Sequence, residues 1–253
     1  MRFASLGSGS RGNGTLIEAE GTLVLLDCGF PAVHVEARMA RLGKRPDDLT
    51  AIVVTHEHGD HISGVGPLAR RYNIPVWMTP GTARHSRLGE LPQQRLFNSH
   101  AAFAIDALEL TPYPVPHDAR EPVQFVFGDG RHRLGVLTDV GCWTAHIESQ
   151  LSGCDALMLE CNHDSEMLVQ GSYPPSLKQR VGGRHGHLSN IQAAELLSRL
   201  DRSKLQHLVA AHLSQENNQP ALAQQALAEV VSCSRDWIGV ADQDLGLEWR
   251  ELN

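Results

Sequence analysis

Short apolar runs alternate with segments of helical period along most of this chain. Residues 2–6, 15–19, 22–27, 51–54 and 74–78 read as strands in the first half, and 108–115, 123–127, 133–138, 156–159 and 205–210 in the second. Glu20-Gly21 and Gly128-Asp129-Gly130 are the turns expected to fold neighbouring runs into hairpins. Helical period occupies 33–42, 62–72, 191–200 and 220–231; Pro31 precedes the first of these and Gly43 stands as its C-cap. A short strand pair is expected at the C-terminus. Two β-rich halves with interspersed helices, and no Pro/Ser-rich linker, predict one α/β sandwich domain over residues 1–253.

One polar stretch interrupts this pattern at a strand-to-helix turn: Thr55-His56-Glu57-His58-Gly59-Asp60-His61. His56 and His58 are two apart, so in extended backbone both imidazoles leave on one side. Asp60 and His61 follow where the chain turns, and are aimed in a second direction. Imidazoles with carboxylates suit zinc, manganese or iron, and two diverging pairs suggest two ions. A solvated loop that happens to hold histidines is the bland alternative, and it requires no further ligands. Polar side chains just past other apolar runs could project into the same cleft: His117 after 108–115, Asp139 after 133–138 and His212 after 205–210. Asp139, with two oxygens, suits a carboxylate shared between two cations.

Other polar positions are less decisive. Asp27 ends a buried strand, where a carboxylate is costly unless bonded; holding the ring N–H of a metal-binding histidine would explain it. The loop 7–14, rich in Gly and Ser, could approach a phosphate with its amides or be a plain glycine turn. The segment 81–99, with Arg84, His85, Arg87 and Arg95, is locally basic and reads as a solvated helix face.

Composition narrows the function classes. At 253 residues with 42% hydrophobic residues, the chain can bury a substantial core. A net charge of −7 argues against coating nucleic acid with the whole surface but leaves room for a local basic groove. Five cysteines, odd in number and without a C-x-x-C pair, fit reduced thiols in the cytoplasm. No apolar signal-peptide region is visible, and no apolar run of membrane-spanning length occurs, so no membrane partner is expected.

The pattern His-x-His-x-Asp-His at 56–61 resembles the signature of the metallo-β-lactamase superfamily. Leu6-Gly7-Ser8-Gly9-Ser10-Arg11-Gly12-Asn13, Glu160-Cys161-Asn162-His163-Asp164, Gly186-His187-Leu188-Ser189-Asn190 and His212-Leu213-Ser214-Gln215-Glu216-Asn217-Asn218 narrow this. Together they resemble the WalJ (YycJ, VicX) family, related to PhnP phosphodiesterases and tRNase Z. The resemblance runs from about Arg2 to about Asn218. It implies an αββα fold, two facing mixed sheets flanked by helices, with a dinuclear centre at one edge. Carried onto this sequence, it gives one divalent ion to His56, His58 and His117, the other to Asp60, His61 and His212, with Asp139 bridging. It implies His187 as proton donor, although a surface histidine capping the next helix would also stand there. No cysteine takes the place of Asp139, which counts against lactam hydrolysis.

The function so implied is phosphodiester hydrolysis, with double-stranded DNA digested from 5′ to 3′ as the leading expectation. Paired cations would activate water for in-line attack and neutralise charge on the phosphoryl oxygens, with Asp60 and His187 in the catalytic set. Arg184, Lys178 and Arg180 are candidates for backbone contacts, and Ser10 and Asn13 for phosphate donors. Alternatives are a small or cyclic-nucleotide phosphodiesterase, a metal-stabilised regulatory protein without turnover and, more distantly, a thioesterase. The chain has no obvious long arm for gripping tRNA.

Overall fold

Strands that are apolar on both faces must be covered on both, and the computed structural model, which describes residues 1–253, shows how. The first half runs β1 (Arg2–Gly7), β2 (Gly14–Ala19), β3 (Thr22–Leu26), α1 (Ala32–Arg41), β4 (Ala51–Val53), α2 (Gly59–Ile62), α3 (Val65–Tyr72), β5 (Val76–Met78), α4 (Pro80–Ala83) and β6 (Gln94–Leu96). The second runs β7 (Phe103–Ile105), β8 (Leu108–Pro114), β9 (Val123–Gly128), β10 (Arg133–Leu137), α5 (Ala145–Leu151), β11 (Ala156–Glu160), α6 (Ser165–Gln170), α7 (Pro175–Val181), α8 (Asn190–Arg199), β12 (His207–Ala211), α9 (Pro220–Val231), β13 (Gly239–Val240) and β14 (Leu247–Glu251). The sheets have the orders β14-β1-β2-β3-β4-β5-β6 and β13-β12-β11-β10-β9-β8-β7. Both are mixed: β3 to β6 and β10 to β13 are parallel, and the rest of each sheet is antiparallel.

The pleat sorts each run between two cores. Val24 and Leu26 of β3 pack between the sheets with Phe125, Val136 and Met158, whereas Leu23 and Leu25 face α1 and α3 with Val35, Met39 and Leu68. In β11, Met158 points inward, while Leu157 and Leu159 pack under α8 and α9 with Leu196, Leu197 and Leu227. The αββα arrangement is thus the expected one.

Four local expectations need correction. The helical segment 62–72 is broken: α2 begins at Gly59 and stops, and α3 starts afresh at Val65. The break falls at Gly64, whose amide donates to the Cys28 carbonyl at 2.8 Å and whose Cα lies so near the Phe30 carbonyl that a Cβ would collide with it. Segment 81–99 is not one helix face: it runs from the single turn of α4 through a 3-10 turn at Ser86–Leu88 to the edge strand β6. Helices α5, α6 and α7 and strand β7 had no expected counterpart. The C-terminal strands do not pair with each other: β13 joins β12 in one sheet and β14 joins β1 in the other.

Candidate metal centre

The C-terminal ends of β3, β4, β10, β11 and β12 gather at one edge of the sandwich, joined by the chain leaving β8, the usual place for a site in open α/β sheets. Three of the strand exits are sharp: Asp27, Asp139 and His212 have φ of 60°, 51° and 54°, left-handed values uncommon for residues other than glycine. β4 delivers the loop that becomes α2. Within it Glu57 points away, accepting the Arg120 amide at 2.9 Å, while the His56 and His58 rings lie 4.6 Å apart. Gly29 lets β3 and α2 touch, because a Cβ there would overlap the Asp60 carbonyl.

Beside a group formed by Asp139, Glu160, His187 and His212, the expected ligands form two clusters: His56, His58 and His117, and Asp60, His61, Asp139 and His212, the donor atoms of each within 4.8 Å of one another. Asp139 reaches both. One oxygen lies 3.8 Å from His117 Nε2, the other 3.1 Å from His61 Nε2.

Each buried imidazole is oriented through its Nδ1. His61 Nδ1 donates to Asp27 Oδ2 at 2.8 Å, His117 Nδ1 to the Gly186 carbonyl at 3.1 Å, and His212 Nδ1 to Glu160 Oε1 at 3.1 Å. His56 Nδ1 donates to Thr55 Oγ1 at 2.9 Å, whose own hydroxyl donates to Asp27 Oδ2. This points Nε2 of all four toward the centre, where each can offer a lone pair once it carries no proton of its own. His56 Nε2, His212 Nε2 and Asp139 Oδ2 are buried without any hydrogen-bond partner. Buried polar atoms are seldom left so, and convergent orphans of this donor set fit divalent cations.

The electrostatics agree. Burial pushes His56 and His117 below the ordinary histidine value, keeping them neutral. Burial works against ionisation of Asp60 and Asp139, yet neighbouring imidazoles outweigh it and hold both carboxyls well below their usual range. The counterpart is His212, raised to about 10 against burial by Asp139, Asp60 and Glu160. The site therefore calls for positive charge among its carboxylates.

His187 borders the same cleft, its Nδ1 2.9 Å from Glu160 Oε1, so that Nε2 is the nitrogen available to a ligand. Sequence reasoning gave Glu160 no role of its own. Fully buried, it accepts from the Asp139, Val140 and Leu188 amides as well as from His187 and His212. It thus ties the exit of β10 to that of β12 and to His187. The available signal was a carboxylate closing an apolar strand, the same one that marks Asp139.

The expected substrate contacts divide. Ser10 is exposed and lines the cleft. Asn13 is buried and braces the metal loop, its amide donating to the Gly9 and Asp60 carbonyls and Asp60 Oδ2, where a phosphate donor had been expected. The loop 7–14 likewise spends amides internally: Gly9 N–H donates to Asn13 Oδ1 and Arg11 N–H to Gln243 Oε1. Arg184 is exposed outside the cleft, whereas Arg180 lines it.

Comparison with known proteins places these residues in a wider setting. A model described as a beta-lactamase superfamily domain matches residues 22–212, from the start of β3 to His212. The chain is 33% identical over 235 residues to exodeoxyribonuclease YycJ of Bacillus anthracis, covering 91% of this chain and 89% of that one. It is 31% identical over 246 residues to exodeoxyribonuclease WalJ of Streptococcus pneumoniae, covering 95% and 91%. In fold it is similar to the metallo-beta-lactamase fold protein YhfI of Bacillus subtilis, with a TM-score of 0.76 over 99% of both chains at 15% identity.

Proposed function

We propose that this chain, which belongs to the beta-lactamase superfamily and is a metal-dependent hydrolase, is a DNA exonuclease that releases nucleotides from the 5′ end of a duplex. The observation that carries the reading is the pairing of two candidate ligand clusters around Asp139 with a hydrogen-bonded pair of buried Glu160 and half-buried His187 on the same cleft. Two divalent ions, zinc or manganese with iron a further option, supply when bound an activated water and charge neutralisation at a phosphoryl group. The protein's own part is more specific. Asp139 holds both clusters at a fixed spacing, and Asp27 and Glu160 keep His61 and His212 in the tautomer that presents Nε2. Glu160, a positioning residue here, also favours protonated His187: its charge and hydrogen bond raise the His187 pKa against the effect of burial. A protonated Nε2 beside the cleft suits a donor to a departing sugar oxygen. Since both sheets contribute ligands, the reading takes residues 1–253 as one catalytic domain. The five unpaired cysteines support a cytoplasmic setting, and no helix is long and apolar enough to cross a membrane.

The cleft is small, about 330 Å³, and this favours a small or cyclic phosphodiester as the second reading. The test strips the protein with a chelator, reloads it with zinc or manganese, and compares a labelled duplex, a cyclic nucleotide and methyl 4-nitrophenyl phosphate. Mononucleotide release from the 5′ end in a metal-dependent manner is expected. Turnover of the small esters with an intact duplex under either metal would overturn the DNA assignment.

A further inference from the structure

The cleft lining is chemically divided. Its floor is the ligand clusters, and its three apolar residues, Tyr173, Leu177 and Val181, come from a single segment, α7 and the turn just before it. Leu177 and Val181 are one helical turn apart and share a face. All three are only partly buried, and no residue of α7 is fully buried, so this helix contributes little to a core and much to the cleft wall. The wall ends at His187: the His187 amide donates to the Val181 carbonyl at 2.8 Å.

Arg180, on the same helix, lines the cleft with Nε donating to Asp118 Oδ2 at 2.7 Å. Asp118 Oδ1 faces the first cluster, 3.6 Å from His58 Nε2 and 3.5 Å from His117 Nε2, so the Arg180 contact is made by its outer oxygen alone. The rest of the helix is anchored differently, since Lys178 Nζ donates to the Val169 carbonyl.

We propose that α7 is a nucleotide platform: the terminal nucleotide is splayed from its stack, its base lies against Tyr173, Leu177 and Val181, and Arg180 exchanges Asp118 for the adjoining phosphate. The proposal rests on the nuclease reading and specifies how that site takes its substrate. An aromatic ring beside aliphatic side chains accepts any base, because each has a π-face, so recognition is independent of sequence. Arg is suited to the exchange, since its planar fork matches a phosphate as well as a carboxylate. Splaying the terminal nucleotide from its stack is what would bring its base against this wall and its phosphate over the ligand clusters on the floor. His187, at the end of the wall, then stands beside the leaving nucleoside.

The experiment uses the metal-loaded full chain and labelled duplexes carrying thymidine or its abasic tetrahydrofuran analogue, placed at the 5′ or the 3′ terminus. The wild-type protein should cut the thymidine end faster than the abasic one by roughly 10- to 100-fold in kcat/KM, the scale of one base–aromatic stack. Tyr173→Ala should bring that ratio close to one, and Tyr173→Phe should restore it. Arg180→Gln should raise KM for both duplexes with a much smaller change in kcat, leaving the ratio in place. Equal cutting of thymidine and abasic ends by the wild-type protein, or a ratio untouched by Tyr173→Ala, overturns the proposal. So does an Arg180→Gln effect confined to kcat. If methyl 4-nitrophenyl phosphate is turned over and neither duplex is cut at all, the DNA reading fails and takes this proposal with it.

Discussion

Asp27→Asn changes one atom of the group that orients His61, and the consequences can be followed bond by bond. Asp27 Oδ1 accepts from the Thr55 amide at 2.9 Å, and Oδ2 from the Thr55 hydroxyl at 2.9 Å and His61 Nδ1 at 2.8 Å. An asparagine fits the same backbone, because Asn tolerates the φ of 60° found here. Its amide group cannot satisfy all three donors. With the NH2 toward His61, the ring must shift its proton to Nε2 and lose the lone pair that faces Asp60 and Asp139. With the NH2 toward the Thr55 amide, a buried donor is orphaned, at about 1–3 kcal/mol. Removing the group that orients a ligand histidine typically weakens metal binding by ~10–100-fold, which is about 1.4–2.7 kcal/mol. The loss should fall mainly on the Asp60–His61–His212 cluster. His56 feels Asp27 only through the Thr55 hydroxyl. Chelator-competition titration with zinc, read as two stepwise affinities, checks this. Two affinities unchanged from wild type, or both lowered equally, would refute the tautomer argument.

Three further outcomes are expected. Asp139→Ala should reduce activity more than Asp27→Ala, since it removes the carboxylate that reaches both clusters; equal losses in two folded variants would show that Asp139 does not bridge. His187→Ala should keep its metal and lose ~10²–10⁴-fold on DNA but far less on a nitrophenyl diester, whose leaving group scarcely needs a proton; loss of metal, or equal slowing of both substrates, would contradict the donor role. Burial lowers the His187 pKa, but Glu160 more than offsets this by charge and hydrogen bond, so the protonated donor persists above the ordinary histidine value and is lost as pH rises further. Glu160→Gln should therefore move the falling alkaline limb of kcat to lower pH, and a limb that stays in place in a metal-replete variant would exclude the effect.

Much of the fold was legible because the strands carry apolar residues on both faces, and such runs stand out from any helical pattern. Polar residues just past those runs marked the candidate ligand positions for the same reason: a charged or imidazole side chain following β4, β10 or β12 has no place in the apolar core. Helices α6 and α7 were not legible. The first buries only Leu168 and the second no residue, so neither leaves a period in the sequence. The break between α2 and α3 was hidden too, because the close approach of Gly64 to Phe30 is a contact between segments more than thirty residues apart. The C-terminal strands carried the right local pattern, but only tertiary packing assigns one to each sheet.

Asp139 and Glu160 show where legibility stops within the site itself. Both are carboxylates at the ends of parallel strands, both are buried, and both lie within reach of His187 and His212. Nothing in the local sequence separates them. The difference is in how their oxygens are occupied. The two Glu160 oxygens take five hydrogen bonds, three of them from backbone amides, which saturates the group and leaves it a support. Asp139 Oδ2 is buried and makes no hydrogen bond, with the His61 and His212 rings 3.1 and 3.2 Å away as its charged surroundings, which leaves it free to meet a cation. The same test separates Asn13, whose amide is fully engaged in bracing the metal loop, from Ser10 on the cleft rim. Residue type and position along a strand therefore identify who can reach the site, and the hydrogen bonds already made decide who remains free to bind there.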